Sequence, residues 1–265
     1  MAPSEGADQS AKTETAAVNE TEPQEEPLTF KHYKNELEGD GYEVKLVMDY
    51  PMGGNATLVD SLRKYILDSV NSYDYDGNPI GTFQGDMTDG QKVFNYYFNL
   101  SANQLKSTVE ELGDDNPYGN FVSAKQVTKE YETDKFVTMY YEGYEFEGGA
   151  HGMSFCEGRT FSKASGMSVT WDMFKNEKAM NPYVKNGLKK YFEVSSDSEL
   201  KDCLMGSDVN DIPLPANDPY FTKDGVCFVY SIYEIAAYAG GMPTFVIPYD
   251  KIRPFLNEEG LQLLP

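Results

Sequence analysis

YYEGYEFEGGAHGMSFCEGRTFSKASGMSVTWDMF, residues 140–174, is the stretch on which the reading of the fold turns. Tyr140, Glu142 and Tyr144 alternate with Tyr141 and Gly143, and a period of two predicts a strand. The glycine-dense segment Gly148-Gly149-Ala150-His151-Gly152 predicts a bend. A second strand follows, then a turn over Lys163 to Gly166 and a short helical end. Glycine weakens a strand unless the backbone bulges, bends or is approached closely. Three glycines around the lone His151 therefore leave two readings. Either this is a bulge in an antiparallel sheet with a locally bonded imidazole, or it is a recognition loop held out by a rigid sheet. In the second reading Gly148, Gly149, His151 and Gly152 form a binding surface with the neighbouring Tyr144 and Phe146.

Outward toward the N-terminus, Phe121–Tyr131 and Lys135–Phe146 read as a β-hairpin turning at Glu132-Thr133-Asp134. With the central stretch they make an antiparallel meander reaching Val169. Further upstream, Tyr42, Val44, Leu46, Met48 and Tyr50 form the apolar face of another strand, stopped by Pro51 and Gly53-Gly54. Asn55 is placed to cap a helix whose inward stripe is Leu58, Leu62, Tyr65, Ile66, Ser69, Val70 and Tyr73. A second helix is expected over 91–112, with Phe94, Tyr97, Phe98, Leu105, Val109 and Leu112 on one face. Between the helices, Asp74-Tyr75-Asp76-Gly77-Asn78 superficially suggests a calcium loop. Its glycine falls at position four rather than six and Gly85 occupies position twelve, so an ordinary Asp/Gly turn fits better.

Toward the C-terminus, helices are expected over 177–192, with Pro182 in the first turn, and over 198–204. A proline-rich loop precedes a strand over 226–232. The segment Tyr233 to Gly241, a strand over 244–247 and a closing helix over 251–256 complete the chain. The predicted class is α+β: an antiparallel sheet meander with helices packed on one face, in two associated subdomains, 28–174 and 175–265. Residues 1–27 contain no Leu, Ile, Phe, Tyr or Trp and carry seven acidic residues against Lys12 alone. That composition predicts a disordered acidic leader.

The 265 residues carry a net charge of −21 and a pI near 4.4, with 14% aromatic residues dominated by Tyr and Phe. Such a field repels phosphate backbones and argues against nucleic-acid binding. It favours solubility or a cationic partner. Cys156, Cys203 and Cys227 are odd in number and show no CxxC spacing, so neither a complete set of internal bridges nor a zinc site is expected. No apolar stretch approaches the roughly 20 residues that span a bilayer.

Three segments in fixed order carry a family resemblance: GGAHG at 148–152, SGMSVTWDMF at 165–174 and YSIYEIAAYAGGMPTFVIPYDKI at 230–252. Together they resemble the paired domains of unknown function in the extracellular region of a lysozyme-sensing anti-sigma factor. The same domains accompany a peptidoglycan deacetylase as an accessory module. Stand-alone versions with acidic leaders are predicted envelope lipoproteins of gut Bacteroidetes, and this chain is most similar to those. The resemblance implies a deacetylase-accessory-like first subdomain and an anti-sigma-ectodomain-like second one. It also implies localisation at the cell envelope, with membrane attachment only through a lipid anchor on a removed signal segment. The 265 residues contain neither a sigma-binding segment nor a deacetylase domain, so neither an anti-sigma nor a deacetylase role is expected of them.

Catalytic sets are sparse. Metal-dependent deacetylases need an Asp and two His ligands, yet the histidines are only His32 and His151, and neither an H-E-x-x-H nor a G-x-S-x-G motif occurs. Glu142, Glu145 and Glu147 flank His151, which keeps one enzymatic alternative open: a hydrolase or deacetylase of envelope polysaccharide using His151 and a nearby carboxylate. The preferred expectation is a non-catalytic binding module that recognises a lysozyme-like cationic protein or envelope glycan without metal or cofactor. Glu234, enclosed by Tyr233 and Ile235, would be costly if unpaired. It is therefore expected to be bonded at a bend, capping N–H groups near Gly240-Gly241. Tyr233 and Tyr249 are its polar companions.

Overall fold

Residues 29–53 fold back on themselves as a hairpin, β1 (Thr29–Gly39) and β2 (Tyr42–Gly53). The computed structural model describes residues 26–73, 76–113, 116–206 and 208–265. Most of the expected acidic leader and the Asp74-Tyr75 pair of the calcium-like loop lie outside these residues. β2 buries Val44, Leu46, Met48 and Tyr50, as its alternation predicts. β1 was not expected: it is a sheet edge, and only Tyr33 among its residues is buried, so it offers little apolar pattern.

Asn55 caps α1 (Ala56–Val70) by accepting from the Thr57 and Leu58 N–H groups, and Leu58, Leu62, Tyr65, Ile66 and Val70 face inward, whereas Ser69 bonds back to the Tyr65 carbonyl and Tyr73 lies exposed beyond the helix end. α2 (Gly90–Leu112) follows with Asp89 as its cap. The chain then enters β3 (Phe121–Glu132), β4 (Phe136–Phe146) and β5 (Met153–Ser162), the antiparallel meander read from the sequence. The strand order is β1-β2-β3-β4-β5, and β2 pairs with β3 in parallel. The sheet is thus mixed rather than antiparallel throughout. A crossover containing two helices separates β2 from β3, and a connection of that length permits parallel neighbours where a tight turn does not.

Beyond β5, a 3-10 turn at Trp171–Met173 and another at Glu177–Met180 lead into α3 (Asn181–Tyr191), with Pro182 at its start. α4 (Asp197–Cys203) opens with a capping box between Ser196 and Glu199. A second sheet has the order β6 (Tyr220–Phe221), β7 (Val226–Val229), β8 (Thr244–Ile247), all antiparallel. α5 (Tyr249–Ile252) and α6 (Glu258–Leu263) close the chain. The molecule is α+β: a five-stranded mixed sheet and a three-stranded sheet, with six α-helices packed on them among the described residues.

Two large clusters of buried side chains fill it. One lies between the five-stranded sheet and α1/α2; the other surrounds the small sheet with α3–α6 and recruits Phe136 from β4. They meet through two buried threonines. Thr138 on β4 donates to the Phe221 carbonyl, Thr160 on β5 accepts from the Phe221 N–H, and the two hydroxyls bond to each other, each contact at 2.7 Å. Both polar groups of Phe221 in β6 are thereby satisfied by side chains of the larger sheet.

Candidate functional site

The bend after β4 requires glycine where it turns: Gly148 and Gly149 have φ of +93° and +95°, a region that residues with a Cβ avoid. Gly152 serves a different need. The Tyr144 ring lies so close that a Cβ at 152 would sit 2.5 Å from it. These glycines leave His151 exposed at the start of β5.

His151 does not stand alone. Its ring stacks on Tyr238 at a centroid distance of 3.8 Å, with 27° between the planes. Nδ1 lies 3.1 Å from the Gly152 carbonyl, and Nε2 lies 3.4 Å from the Tyr233 hydroxyl. The Tyr238 hydroxyl donates to the same Gly152 carbonyl at 2.8 Å. Tyr233 completes the group at 5.8 Å from Tyr238, ring centre to ring centre. Tyr233 and Tyr144 are 49% and 40% exposed, so the cluster presents aromatic faces to solvent rather than closing on itself. Among the described residues no carboxylate hydrogen-bonds to His151.

Glu234 explains how Tyr233 is held. Its carboxylate accepts from the Ala216 N–H at 2.6 Å and from the Ser231 N–H at 2.7 Å, tying the proline-rich loop to the turn over 231–234. Tyr233 inside that turn has φ of +67°. A left-handed tyrosine is strained, and such positions persist where the surroundings over-determine them. The N–H groups of Gly240 and Gly241, which Glu234 was expected to cap, bond to the Ala237 and Tyr238 carbonyls instead.

The remaining sequence candidates lie elsewhere. Phe146 stacks on Phe121 at 6.3 Å and not on His151. Tyr249 packs edge-on against Phe221 and bonds to the Thr222 carbonyl, within the second core. His32 pairs with Asp49 at 2.7 Å across the β1–β2 hairpin. Among the described residues, no group of three His, Cys, Asp or Glu could hold a metal ion, and no helix is long and apolar enough to cross a membrane.

Sequence reading passed over Tyr238, the ring under His151. Its only signal was the co-occurrence of GGAHG with the YEIAAYAGG segment, far away along the chain. It also passed over a groove of about 1210 Å³ running between α1, β5 and the loops of the second core. Glu157 lies in this groove, and its burial raises its carboxyl above the usual carboxylate range against the opposing pull of Arg159. Arg159 sits over the Tyr65 ring and reaches Asp218 at 3.6 Å.

Residues 171–250 match the family described as "Protein of unknown function (DUF3298)". That span contains Tyr233, Glu234 and Tyr238 but not His151. A DUF3298 family member from Bacteroides fragilis NCTC 9343 superposes with a TM-score of 0.62 at 18% identity, covering 87% of this chain and 94% of that one. A DUF3298 family protein from Pseudomonas aeruginosa PAO1 gives 0.56 at 16% identity, covering 88% and 95%. At these identities the likeness is one of fold. No curated protein matches the sequence.

Proposed function

We propose that this chain is a non-catalytic recognition module of the cell envelope whose binding surface is the aromatic platform of His151, Tyr233, Tyr238 and Tyr144. One observation carries the reading: an exposed imidazole stacked on one tyrosine and touching another, with no carboxylate of the described residues bonded to it. Proton transfer at a reacting bond calls for an acid or base oriented by a partner group. Flat aromatic faces open to solvent instead suit cationic side chains and the apolar faces of sugar rings.

The net charge of −21 favours the cationic ligand, because it steers a basic protein from a distance. A lysozyme-like protein that attacks the envelope is therefore the preferred partner, and envelope glycan is the second ligand that the same platform admits. The resemblance to the anti-sigma-factor ectodomain and to the deacetylase accessory module supports placing the protein at the envelope. The test is capture of lysozyme by the wild-type chain and by His151→Ala and Tyr233→Ala variants, with soluble peptidoglycan fragments in a parallel arm. Retention by the wild type and loss in both variants is expected. Equal retention by all three proteins removes the platform from the account.

A further inference from the structure

β5 is the outermost strand of the five-stranded sheet, and its free side can be assigned residue by residue. The Val169 N–H donates to the Thr160 carbonyl at 2.8 Å, and the Ser162 N–H donates to the Met167 carbonyl at 2.9 Å. The main-chain groups of the even-numbered residues therefore point away from β4. The Gly152 carbonyl, taken up by the Tyr238 hydroxyl, obeys the same parity at the other end. Strand alternation then places the N–H and C=O of Ser154 and Cys156 on that outer side. Gly158 is buried with the Tyr220 ring packed over its face of the sheet, and the accessible stretch of the strand ends there. What remains is a five-residue edge, Met153-Ser154-Phe155-Cys156-Glu157, most of it lining the 1210 Å³ groove.

Natural sheet edges are usually blunted by lysine, proline or charged residues on the strand. β1, the opposite edge of the sheet, follows that rule with Lys31, Lys34, Glu36 and Glu38. The β5 window has neither lysine nor proline, and its one charged residue, Glu157, sits at its end. Its surroundings also have a definite chemistry. Glu147, Asp172 and Glu259 line the groove and form no salt bridge among the described residues. The lining cations are already engaged: Lys64 with Asp68 at 2.7 Å, Lys125 with Glu145 at 2.9 Å and Arg159 with Asp218 at 3.6 Å. Phe155 and Met167, 38% and 60% exposed, offer apolar contact beside the edge.

We propose that the outer edge of β5 at Ser154 and Cys156 accepts an extended, lysine- or arginine-bearing segment of another protein as an added strand. Main-chain bonds to this edge supply the attachment, and the unpaired acids of the groove select basic side chains. The inference does not depend on what the His151 platform binds.

The test uses the full chain and a ten-residue peptide of alternating lysine and valine, with a glutamate–valine peptide as its counterpart. Amide hydrogen exchange of Ser154 and Cys156 is followed by NMR at low salt. The basic peptide is expected to slow both amides by about tenfold or more and the acidic peptide to leave them unchanged, a contrast set by strand addition plus charge. Ser154→Pro removes an outward N–H that β4 does not use, so the sheet is retained while peptide affinity falls about tenfold. Should that variant not fold, N-methylation of alternate peptide residues serves instead and abolishes the protection. His151→Ala leaves the peptide effect intact, which separates this edge from the platform. Absence of protection, equal protection by the acidic peptide, or affinity indifferent to both Ser154→Pro and N-methylation overturns the proposal. So does protection by a chito-oligosaccharide where the basic peptide gives none.

Discussion

Tyr233 is the residue at which stability and the proposed recognition role pull apart. Its φ of +67° costs a residue with a Cβ about 1 kcal/mol, and the turn around it is fixed by the Glu234 carboxylate on Ser231 and Ala216. Replacing it with glycine relieves that strain, while the greater freedom of the unfolded chain offsets about 0.4–1 kcal/mol. Tyr233→Gly is therefore expected to match or slightly exceed the wild type in urea denaturation and to lose the ligand. A stability loss of more than about 1 kcal/mol would mean that the ring supports the fold rather than the platform. The glutamate was partly legible from sequence, since a carboxylate in an apolar run must find donors. Which donors it finds was not legible. Ala216 comes from a loop that only the tertiary fold brings near.

Elements were legible in proportion to their periodicity. β2, α1 and the β3–β4 hairpin each carry an apolar pattern and a recognisable boundary, and each appears where that pattern places it. β1 and α6 escaped because an exposed edge strand and a six-residue terminal helix leave too few apolar positions to set a period. The parallel pairing of β2 with β3 escaped for a different reason: partner choice across a long crossover has no local signature. The C-terminus of α1 shows how sheet and helix complete each other. Its last turn has no basic residue, yet the buried Lys125 on β3 donates to the carbonyls of Asn71 and Val70 and pairs with Glu145. It thus supplies from across the core the positive charge that a helix C-terminus favours. Lys125→Met leaves those carbonyls and a half-exposed carboxylate without their cation, and is expected to destabilise the protein by about 2–3 kcal/mol in chemical denaturation. A loss below about 0.5 kcal/mol would show that water replaces the ammonium freely.

At the scale of the molecule, the two cores meet through apolar contacts, among them Tyr220, Cys227 and Val229 against Tyr140 and Cys156, and through the buried hydroxyls of Thr138 and Thr160. Thr160→Val keeps the shape but strands the Phe221 N–H, and a buried donor left unpaired costs about 1–3 kcal/mol. The expected signature is a lowered midpoint in thermal unfolding, with exchange at Phe221 and its β7 neighbours accelerated beyond that of β2–β3. Uniform acceleration across both sheets would instead mean that the cores unfold as one unit. This junction bears on the proposed binding surface, because that surface is assembled across it. His151 and Tyr144 come from the larger sheet, whereas Tyr233 and Tyr238 come from the segment following β7. Sequence reading located the first pair and the glycine bend but not the ring beneath the imidazole, since stacking between residues so far apart leaves no spacing to detect.

The most direct measurement is a calorimetric titration of lysozyme into the wild-type chain and into His151→Ala, each at about 50 and about 300 mM salt, ionic strengths that span weak and strong screening. The aromatic platform predicts binding by the wild type that weakens as salt rises and a loss of about tenfold or more in the variant at both ionic strengths, the scale at which a central aromatic contact counts. Absence of heat at low salt, or equal affinity for the two proteins, would contradict it.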